Sequence, residues 1–273
     1  MPEIAEVRVV ANTLKKKIIN KKIEKIKIFY TNIIENDRHE FEDILVNKTF
    51  KDITTYGKWI MFNLGEYTLL SHLRMEGKYY YENSSNEIEK HTHIIFKLND
   101  GYDLRYNDTR KFGKMLVVKT NEVFNTPCIK KLGLEPDNKY LTKEYLYEKI
   151  NKSTKTIKEL LLDQTIINGL GNIYANEVLF TSKINPTRRG NQITFEECET
   201  IINNAKKIII DSYNKGGCTI RSYTSSLGVI GHYQEYLKVH NRAYKPCKKC
   251  NTLIKIMKIG ERSTYYCPNC QKK

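Results

Sequence analysis

Several features that define other protein classes are missing from this sequence. No stretch is long and apolar enough to cross a bilayer. The N-terminus lacks the apolar core of a secretory signal, because Glu3, Glu6 and Arg8 interrupt it. No internal repeat is apparent. We therefore expect a cytosolic protein with no membrane partner.

The sequence has fewer acidic residues than basic ones. The chain has 46 Lys and Arg against 31 Asp and Glu, a formal net charge of +15. Such an excess favours a polyanionic partner, although a general richness in Lys, Asn and Ile would produce it as well. The hydrophobic fraction of 40% excludes a disordered chain, and 273 residues suffice for about two domains.

A disulfide framework is not indicated. The seven cysteines are an odd number, and four form the pattern Cys247-x2-Cys250-x16-Cys267-x2-Cys270. This spacing predicts a closed site of four thiolates for one structural Zn²⁺. The surrounding segment 238–273 has ten basic residues against the single acid Glu261. A basic ribbon of this kind can bind phosphates, but ribbons also serve as purely structural or protein-docking modules.

The apolar periodicity changes along the chain and predicts an α+β protein of two domains. A helix is expected over about 3–19, followed by many short strands of a sandwich or barrel, among them a hairpin at Asp100-Gly101. Later segments have helical periodicity, and Thr194 begins a capping box. Helices are expected at about 142–151, 155–166, 172–182 and 194–214. The predicted parts are an N-terminal domain (1–122), a linker (123–140), a helical domain (141–235) and a zinc ribbon (236–273).

The first six residues contain a candidate reactive group. If Met1 is removed, Pro2 becomes a secondary amine, which is partly neutral near pH 7 and able to attack a sugar C1′. The resulting iminium ion would remain cationic and act as an electron sink. Glu3 and Glu6 lie one helical turn apart beside this amine, and the positive end of the helix dipole favours its neutral form. Alternatively, these glutamates only stabilise the start of the helix.

A second motif is the turn around Asn168-Gly169-Leu170-Gly171-Asn172. The glycines permit a tight turn, and Asn172 is expected to be the N-cap of the following helix. Free backbone N–H groups in such a turn can bind a phosphate. The alternative is an ordinary helical hairpin.

Taken together, these motifs resemble the formamidopyrimidine-DNA glycosylase / endonuclease VIII family of DNA repair enzymes. The resemblance covers essentially the whole chain in one colinear order. Ala5 departs from it, because the family usually has Pro there. Further segments that carry the resemblance are 56–59 (Tyr-Gly-Lys-Trp), 71–77 (Ser-His-Leu-Arg-Met-Glu-Gly), 107–113 (Asn-Asp-Thr-Arg-Lys-Phe-Gly), 132–136 (Leu-Gly-Leu-Glu-Pro) and 265–271 (Tyr-Tyr-Cys-Pro-Asn-Cys-Gln).

The resemblance implies a fold and an activity. The fold is an N-terminal helix with an antiparallel β-sandwich, then a helical domain with a helix-two-turn-helix and a zinc ribbon. The activity is that of a bifunctional DNA glycosylase and abasic-site lyase in base excision repair. It would excise 8-oxoguanine and formamidopyrimidines from damaged double-stranded DNA by a Pro2 Schiff base and β,δ-elimination. A monomer in the bacterial cytosol and nucleoid is expected.

The resemblance also implies residue roles. Pro2 would be the nucleophile and Glu3 the acid and base, while Glu6 would brace the helix start. Lys58 and Arg262 would assist catalysis. The residues expected to contact the phosphodiester backbone of the DNA are Lys58, His72, Asn172 and Arg262.

Base flipping requires that something fill the gap in the duplex. Met75, Arg110 and Phe112 suit this as an apolar wedge, a hydrogen-bond donor to the orphaned base and a stacking ring. The loop from Cys218 to Gly231 is expected to close over the flipped base. Tentative base contacts are Glu6, Glu76, Thr219, Ser222 and Tyr223.

Two alternative functions remain open on sequence grounds. One is an endonuclease VIII-like glycosylase that acts on oxidised pyrimidines. The other is a zinc-ribbon protein that binds nucleic acid without catalysis. The sequence assigns no role to Cys128, Cys198 or Cys218, for which buried packing is the default.

Overall fold

The computed structural model describes residues 1–218 and 231–272. The contacts divide the chain into two compact units. The first consists of Met1–Lys130 with Gly216–His232, and the second of Lys131–Lys215 with Tyr233–Lys273. This division differs from the predicted domains, because residues 216–218 belong to the N-terminal unit. There the backbone N–H of Cys218 donates to Oε1 of Glu6 at 2.8 Å.

Helix α1 (Ile4–Ile18) begins the N-terminal unit, in agreement with the helix predicted over 3–19. Its apolar residues recur at helical spacing, and Val7, Leu14 and Ile18 are all buried. Three lysines occupy its last turn, where they complement the negative end of the helix dipole. The helix is therefore amphipathic, with one face in the core of this unit.

Eight antiparallel strands form two four-stranded sheets, with strand orders β1-β6-β7-β5 and β2-β3-β4-β8. Apolar side chains from both sheets and from α1 pack into one core, so the predicted antiparallel β-sandwich is confirmed. The strands are β1 (Ile23–Ile28), β2 (Asp52–Tyr56), β3 (Trp59–Asn63), β4 (Tyr67–His72), β5 (Lys78–Asn83), β6 (Thr92–Leu98), β7 (Tyr102–Asn107) and β8 (Lys114–Lys119). Two short α-helices, α2 (Arg38–Leu45) and α3 (Pro127–Lys130), also lie in the described part of this unit.

Two tight turns in these sheets are fixed by glycine. Gly101 has φ +81° between β6 and β7, which confirms the hairpin predicted at Asp100-Gly101. Gly57 has φ 58° in the two-residue turn between β2 and β3, where Tyr56 pairs with Trp59. Both conformations favour glycine because it has no Cβ. The second turn carries Lys58.

The second unit is built from helices and one hairpin. The helices are α4 (Lys143–Ile150), α5 (Ile157–Leu162), α6 (Asn172–Thr181) and α7 (Phe195–Asn214), and the hairpin strands are β9 (Lys255–Ile259) and β10 (Arg262–Tyr266). The predicted capping box at Thr194 is confirmed. A cluster of Phe180, Val239, Ile254 and two of the cysteines packs the ribbon against α6.

Two helix boundaries differ from the sequence prediction. The helix predicted over 155–166 ends at Leu162. The side chain of Gln164 donates to the carbonyls of Leu162 and Leu170, and it accepts from the N–H of Gly169, so it holds the chain in a turn. The N-cap of α6 is Gly171 rather than Asn172. The amide of Asn172 is directed at a distant carbonyl instead, as described below.

Across residues 1–218 and 231–272, no helix has the length and apolar character needed to cross a membrane.

Candidate functional site

The chain terminus lies in a buried, charged environment in the N-terminal unit. Pro2 and Glu3 are buried, and Met1 is partly so. The terminal amine here belongs to Met1. Burial lowers the pKa of this amine below its ordinary value, and the positive charge of Lys58 lowers it further. The carboxylates of Glu3, Glu6 and Glu76 act in the opposite direction and raise the pKa. The structure therefore brings Glu3, Glu6, Lys58 and Glu76 together around the N-terminus.

Glu6 braces the start of α1. Its Oε2 accepts the backbone N–H of Glu3 at 2.9 Å, and its Oε1 accepts that of Cys218 at 2.8 Å. The side chain is 5% exposed. A Cβ at Gly217 would come within 2.9 Å of Oε1. Glu6 therefore links the helix start to the segment that begins the predicted lesion-reading loop, which agrees with a bracing role.

Lys58 and His72 form a second cluster near the terminus. Lys58 is buried in the turn between β2 and β3, and His72 ends β4. Burial lowers the pKa of His72 to about 3, and the charges of Arg74 and Lys58 add to the effect. The side chains of Lys58, His72 and Arg74 therefore lie close together. The arrangement suits an anion, because it combines two cations with a neutral imidazole.

The hydrogen bonding of His72 defines its tautomer. Its Nδ1 accepts the backbone N–H of Arg74 at 3.0 Å, so the proton of the neutral ring is on Nε2. The ring packs edge-on against Trp59, with a centroid distance of 4.9 Å. An Nε2–H group can donate to a phosphate oxygen without the cost of burying a charged imidazolium.

The three predicted wedge residues lie in loops of the N-terminal unit. Met75 is half-buried in the loop after β4, whereas Arg110 and Phe112 are exposed in the loop after β7. The guanidinium of Arg110 stacks over the ring of Phe112 at 4.7 Å. Sequence reasoning did not single out Asp108, which holds this second loop. The only feature of the sequence that could have indicated Asp108 is its place as a single Asp at the start of a loop.

Asn172 and Arg262 belong to the second unit. Arg262 is exposed at the start of β10, in the hairpin between the two cysteine pairs. The Nδ2 of Asn172 donates to the carbonyl of Ser263 at 3.0 Å. An amide nitrogen has two N–H groups, so one is left to donate to a phosphate. Asn172 and Arg262 are therefore joined through the residue that follows Arg262.

The carbonyl of Ser263 has a second donor that the sequence did not reveal. Lys158 is fully buried, and its Nζ donates to Ser263 O at 3.1 Å, to Thr264 Oγ1 at 2.7 Å and to Asn176 Oδ1 at 2.9 Å. A buried ammonium is costly unless it is well hydrogen-bonded, and three acceptors satisfy its three protons. This network fixes the base of the hairpin against α5 and α6.

The four cysteines of the ribbon fit a zinc ion. The sulfurs of Cys247, Cys250, Cys267 and Cys270 all lie within 4.8 Å of one another. Three of the separations are 3.4, 3.5 and 3.9 Å. A tetrahedron with Zn–S bonds of about 2.3 Å has sulfurs about 3.8 Å apart. The seven cysteines form no disulfide.

The remaining predicted base contacts, Thr219, Ser222 and Tyr223, lie outside the described residues.

The fold and the thiolate cluster define a class, namely a zinc-finger protein whose ribbon is anchored to a helical hairpin. Family models then cover most of the chain. Residues 1–115 match the formamidopyrimidine-DNA glycosylase N-terminal domain, 132–224 the formamidopyrimidine-DNA glycosylase H2TH domain, and 245–273 the zinc finger found in FPG and IleRS. The chain belongs to the formamidopyrimidine-DNA glycosylase family.

Individual relatives agree with this assignment over their full length. The formamidopyrimidine-DNA glycosylase of Ligilactobacillus salivarius is 45% identical, with 99% of each chain covered. A glycine-to-proline mutant of Lactococcus lactis FPG, solved with a Fapy-dG containing DNA, is 36% identical, with all of both chains covered and a TM-score of 0.95. MutM, solved with carbocyclic 8-oxo-G containing DNA, is 35% identical over all of both chains, with a TM-score of 0.94. The resemblance inferred from the motifs is therefore confirmed.

Proposed function

We propose that this protein is a bifunctional DNA glycosylase and abasic-site lyase that removes oxidised purines from duplex DNA in base excision repair. The observation that carries the proposal is the setting of the N-terminus. Pro2, a buried imino acid, follows the terminal residue, and the charges of Glu3 and Lys58 act on the terminal amine. Family membership supports the same activity, since one solved relative holds a Fapy-dG containing DNA and another a carbocyclic 8-oxo-G containing DNA.

The nucleophile is the nitrogen of Pro2 after removal of Met1. Burial and the charge of Lys58 lower the pKa of the amine now at this place, so the environment favours a neutral, nucleophilic amine. The Pro2 nitrogen attacks C1′ of the damaged nucleotide, and the bond from C1′ to the base breaks. The proton of the Pro2 nitrogen passes to Glu3, and once the C1′–O4′ bond of the sugar breaks, the product is an iminium ion, which has no N–H proton to lose.

Glu3 serves as acid and then as base. It protonates the sugar oxygen as the ring opens, and it then accepts a proton from C2′, so that the 3′ phosphate leaves by β-elimination. A second elimination releases the 5′ phosphate. Glu6 braces the helix start, because each of its carboxylate oxygens accepts a backbone N–H.

Each unit contributes residues that contact the phosphate backbone. In the first unit Lys58 supplies charge and His72 donates from a neutral N–H group, and in the second Arg262 supplies charge and Asn172 donates from a neutral N–H group. Met75, Arg110 and Phe112 fill the gap left by the flipped nucleotide. Glu76 contacts the damaged base, with Thr219, Ser222 and Tyr223. One structural Zn²⁺ on the four cysteines keeps the ribbon folded.

Borohydride trapping tests this proposal. Protein whose Met1 removal has been measured by mass spectrometry is incubated with duplexes that carry 8-oxoguanine opposite cytosine, or thymine glycol. Reduction of the iminium should give a covalent adduct with the first duplex, in proportion to the fraction that lacks Met1. Stronger trapping with thymine glycol would assign the chain to oxidised pyrimidines instead. Binding without any adduct would leave only a nucleic-acid-binding role.

Glu3→Gln and Glu66→Gln form a matched pair of variants. Glu66 is exposed between β3 and β4, and its substitution should leave excision unchanged. Glu3→Gln should lose base excision, because an amide cannot transfer the proton. Equal activity of the two variants would exclude Glu3 as the acid and base.

We further propose that the protein acts as a monomer in the bacterial cytosol, where the nucleoid supplies its substrate.

A further inference from the structure

Asp108 is a fully buried carboxylate at the end of β7 that binds the backbone of the following loop. Its Oδ1 accepts the N–H of Arg110 at 3.0 Å. Its Oδ2 accepts those of Phe112 at 2.9 Å and Gly113 at 2.8 Å. Hydrogen bonds to an ionised acceptor are the stronger class. One side chain therefore fixes the backbone on both sides of the exposed Arg110–Phe112 pair.

Tyr106 connects this loop with the one that carries Met75. Its hydroxyl donates to Oδ2 of Asp108 at 3.5 Å. A Cβ added at Gly77 or at Gly113 would collide with the same hydroxyl. The phenol therefore lies against the end of the 73–77 loop and the end of the 108–113 loop. Because interiors are close-packed, a shift of one loop must be felt by the other.

Each loop also holds one residue in the left-handed backbone region. Arg74 has φ 52° and Lys111 has φ 59°. This conformation is uncommon for residues other than glycine and persists only where the surroundings fix it. The N–H of Arg74 is held by His72 Nδ1, and that of Lys111 by the carbonyl of Asp108 at 3.2 Å. Both loops are thus held in fixed conformations by local acceptors.

We propose that Asp108 and Tyr106 are positioning residues that hold the two DNA-probing loops in one arrangement, and that this arrangement sets the preference for the base opposite the lesion. The inference rests on the proposed function, in which Arg110 donates to the orphaned base. The Watson–Crick edge of cytosine offers two adjacent acceptors to a guanidinium, whereas adenine offers one acceptor beside a donor. This discrimination requires that Arg110 be held in place.

Asp108→Asn tests the proposal because it keeps the size of the side chain. An amide has one oxygen, so at least one of the three backbone N–H groups must face its NH₂ group. Single-turnover excision of 8-oxoguanine is measured opposite cytosine and opposite adenine. The preference for cytosine should fall about tenfold, the order of one base-reading contact. Borohydride trapping on a single-stranded abasic site, which involves no partner base, should match that of the wild type.

Three variants sharpen the experiment. Asp43→Asn, at an exposed position of α2, is the matched control and should keep the wild-type preference. Arg110→Ala should lose the preference, and adding Asp108→Asn to it should cause no further loss, because coupled residues are non-additive. Tyr106→Phe removes the shared hydroxyl and should lower the preference to a smaller degree.

The outcomes separate this inference from the proposed function. If the wild type gives no adduct on the abasic strand, the Pro2 mechanism fails. If the wild type is trapped but folded Asp108→Asn keeps its preference for cytosine, the positioning role is overturned. If a thermal melt shows that Asp108→Asn does not fold, Tyr106→Phe is used as the test instead. An unchanged preference for cytosine in Tyr106→Phe would again overturn the positioning role.

Discussion

Acidification should destabilise the N-terminal unit through His72. Burial lowers the pKa of this imidazole to about 3, against an ordinary value of 6.5. A lowered pKa means that the unfolded chain binds the proton more readily than the folded one. The contribution to stability is therefore complete above about pH 6.5 and is lost progressively as the pH falls towards 3.

The size of the effect follows from these two pKa values. Between pH 7 and pH 5, the free energy of unfolding should fall by about 2 kcal/mol on account of His72. His72→Asn removes the titrating group and places an amide oxygen near the position of Nδ1, where it can accept the N–H of Arg74. The loss between pH 7 and 5 should be smaller in this variant by about the same 2 kcal/mol.

The assay is urea unfolding followed by tryptophan fluorescence. The chain has a single tryptophan, and Trp59 packs edge-on against His72, so the signal reports on this unit. His39→Asn, at an exposed position of α2, controls for the loss of a histidine as such. If wild type and His72→Asn lose equal stability between pH 7 and 5, His72 is not the responsible group.

Three other perturbations have defined expected results. Lys58→Ala should weaken DNA binding about equally across sequences and reduce its salt slope by about one phosphate, and an unchanged slope in a binding titration would deny the contact. Chelation of zinc should unfold the ribbon and abolish DNA binding while the Trp59 signal persists; retained binding in a gel-shift assay would show that the ribbon is dispensable. Glu6→Gln should lower the free energy of unfolding by about 1–3 kcal/mol, since one buried backbone N–H then faces an amide donor. Denaturant titration measures this, and the exposed Glu66→Gln is the control.

Local patterns were enough to predict much of this fold. Helix α1 follows from apolar spacing, the β6–β7 hairpin from Asp100-Gly101, and the zinc site from cysteine spacing. Each of these depends on residues close together in the chain. The family resemblance added the roles, because isolated residues such as Lys58 and His72 have no local feature that separates a phosphate ligand from an ordinary surface or core residue.

The errors came from side-chain hydrogen bonds to backbone groups outside the predicted helices. Asn172 was expected to cap α6, but its amide reaches Ser263, and Gly171 takes the cap position. The helix predicted to continue to residue 166 ends at Leu162, because Gln164 is drawn into a network with the turn. No helix propensity rule includes such partners.

The role of Asp108 could not be predicted from the sequence for a different reason. Its bonds to Arg110, Phe112 and Gly113 are local in sequence, and an Asp that begins a turn is a familiar pattern. The importance of this particular Asp comes from its burial and from the neighbouring phenol of Tyr106, and neither is visible in the sequence.

The carbonyl of Ser263 accepts hydrogen bonds from both Lys158 and Asn172, and this affects how the protein can be engineered. Lys158 comes 105 residues before Ser263 in the chain, and both donors to that carbonyl lie outside the ribbon. A transplanted zinc ribbon without a hydroxyl at the position of Thr264 would leave the buried ammonium of Lys158 one acceptor short, even if its cysteines bound metal normally. Successful chimaeras should therefore exchange α5, α6 and the hairpin together as one cassette.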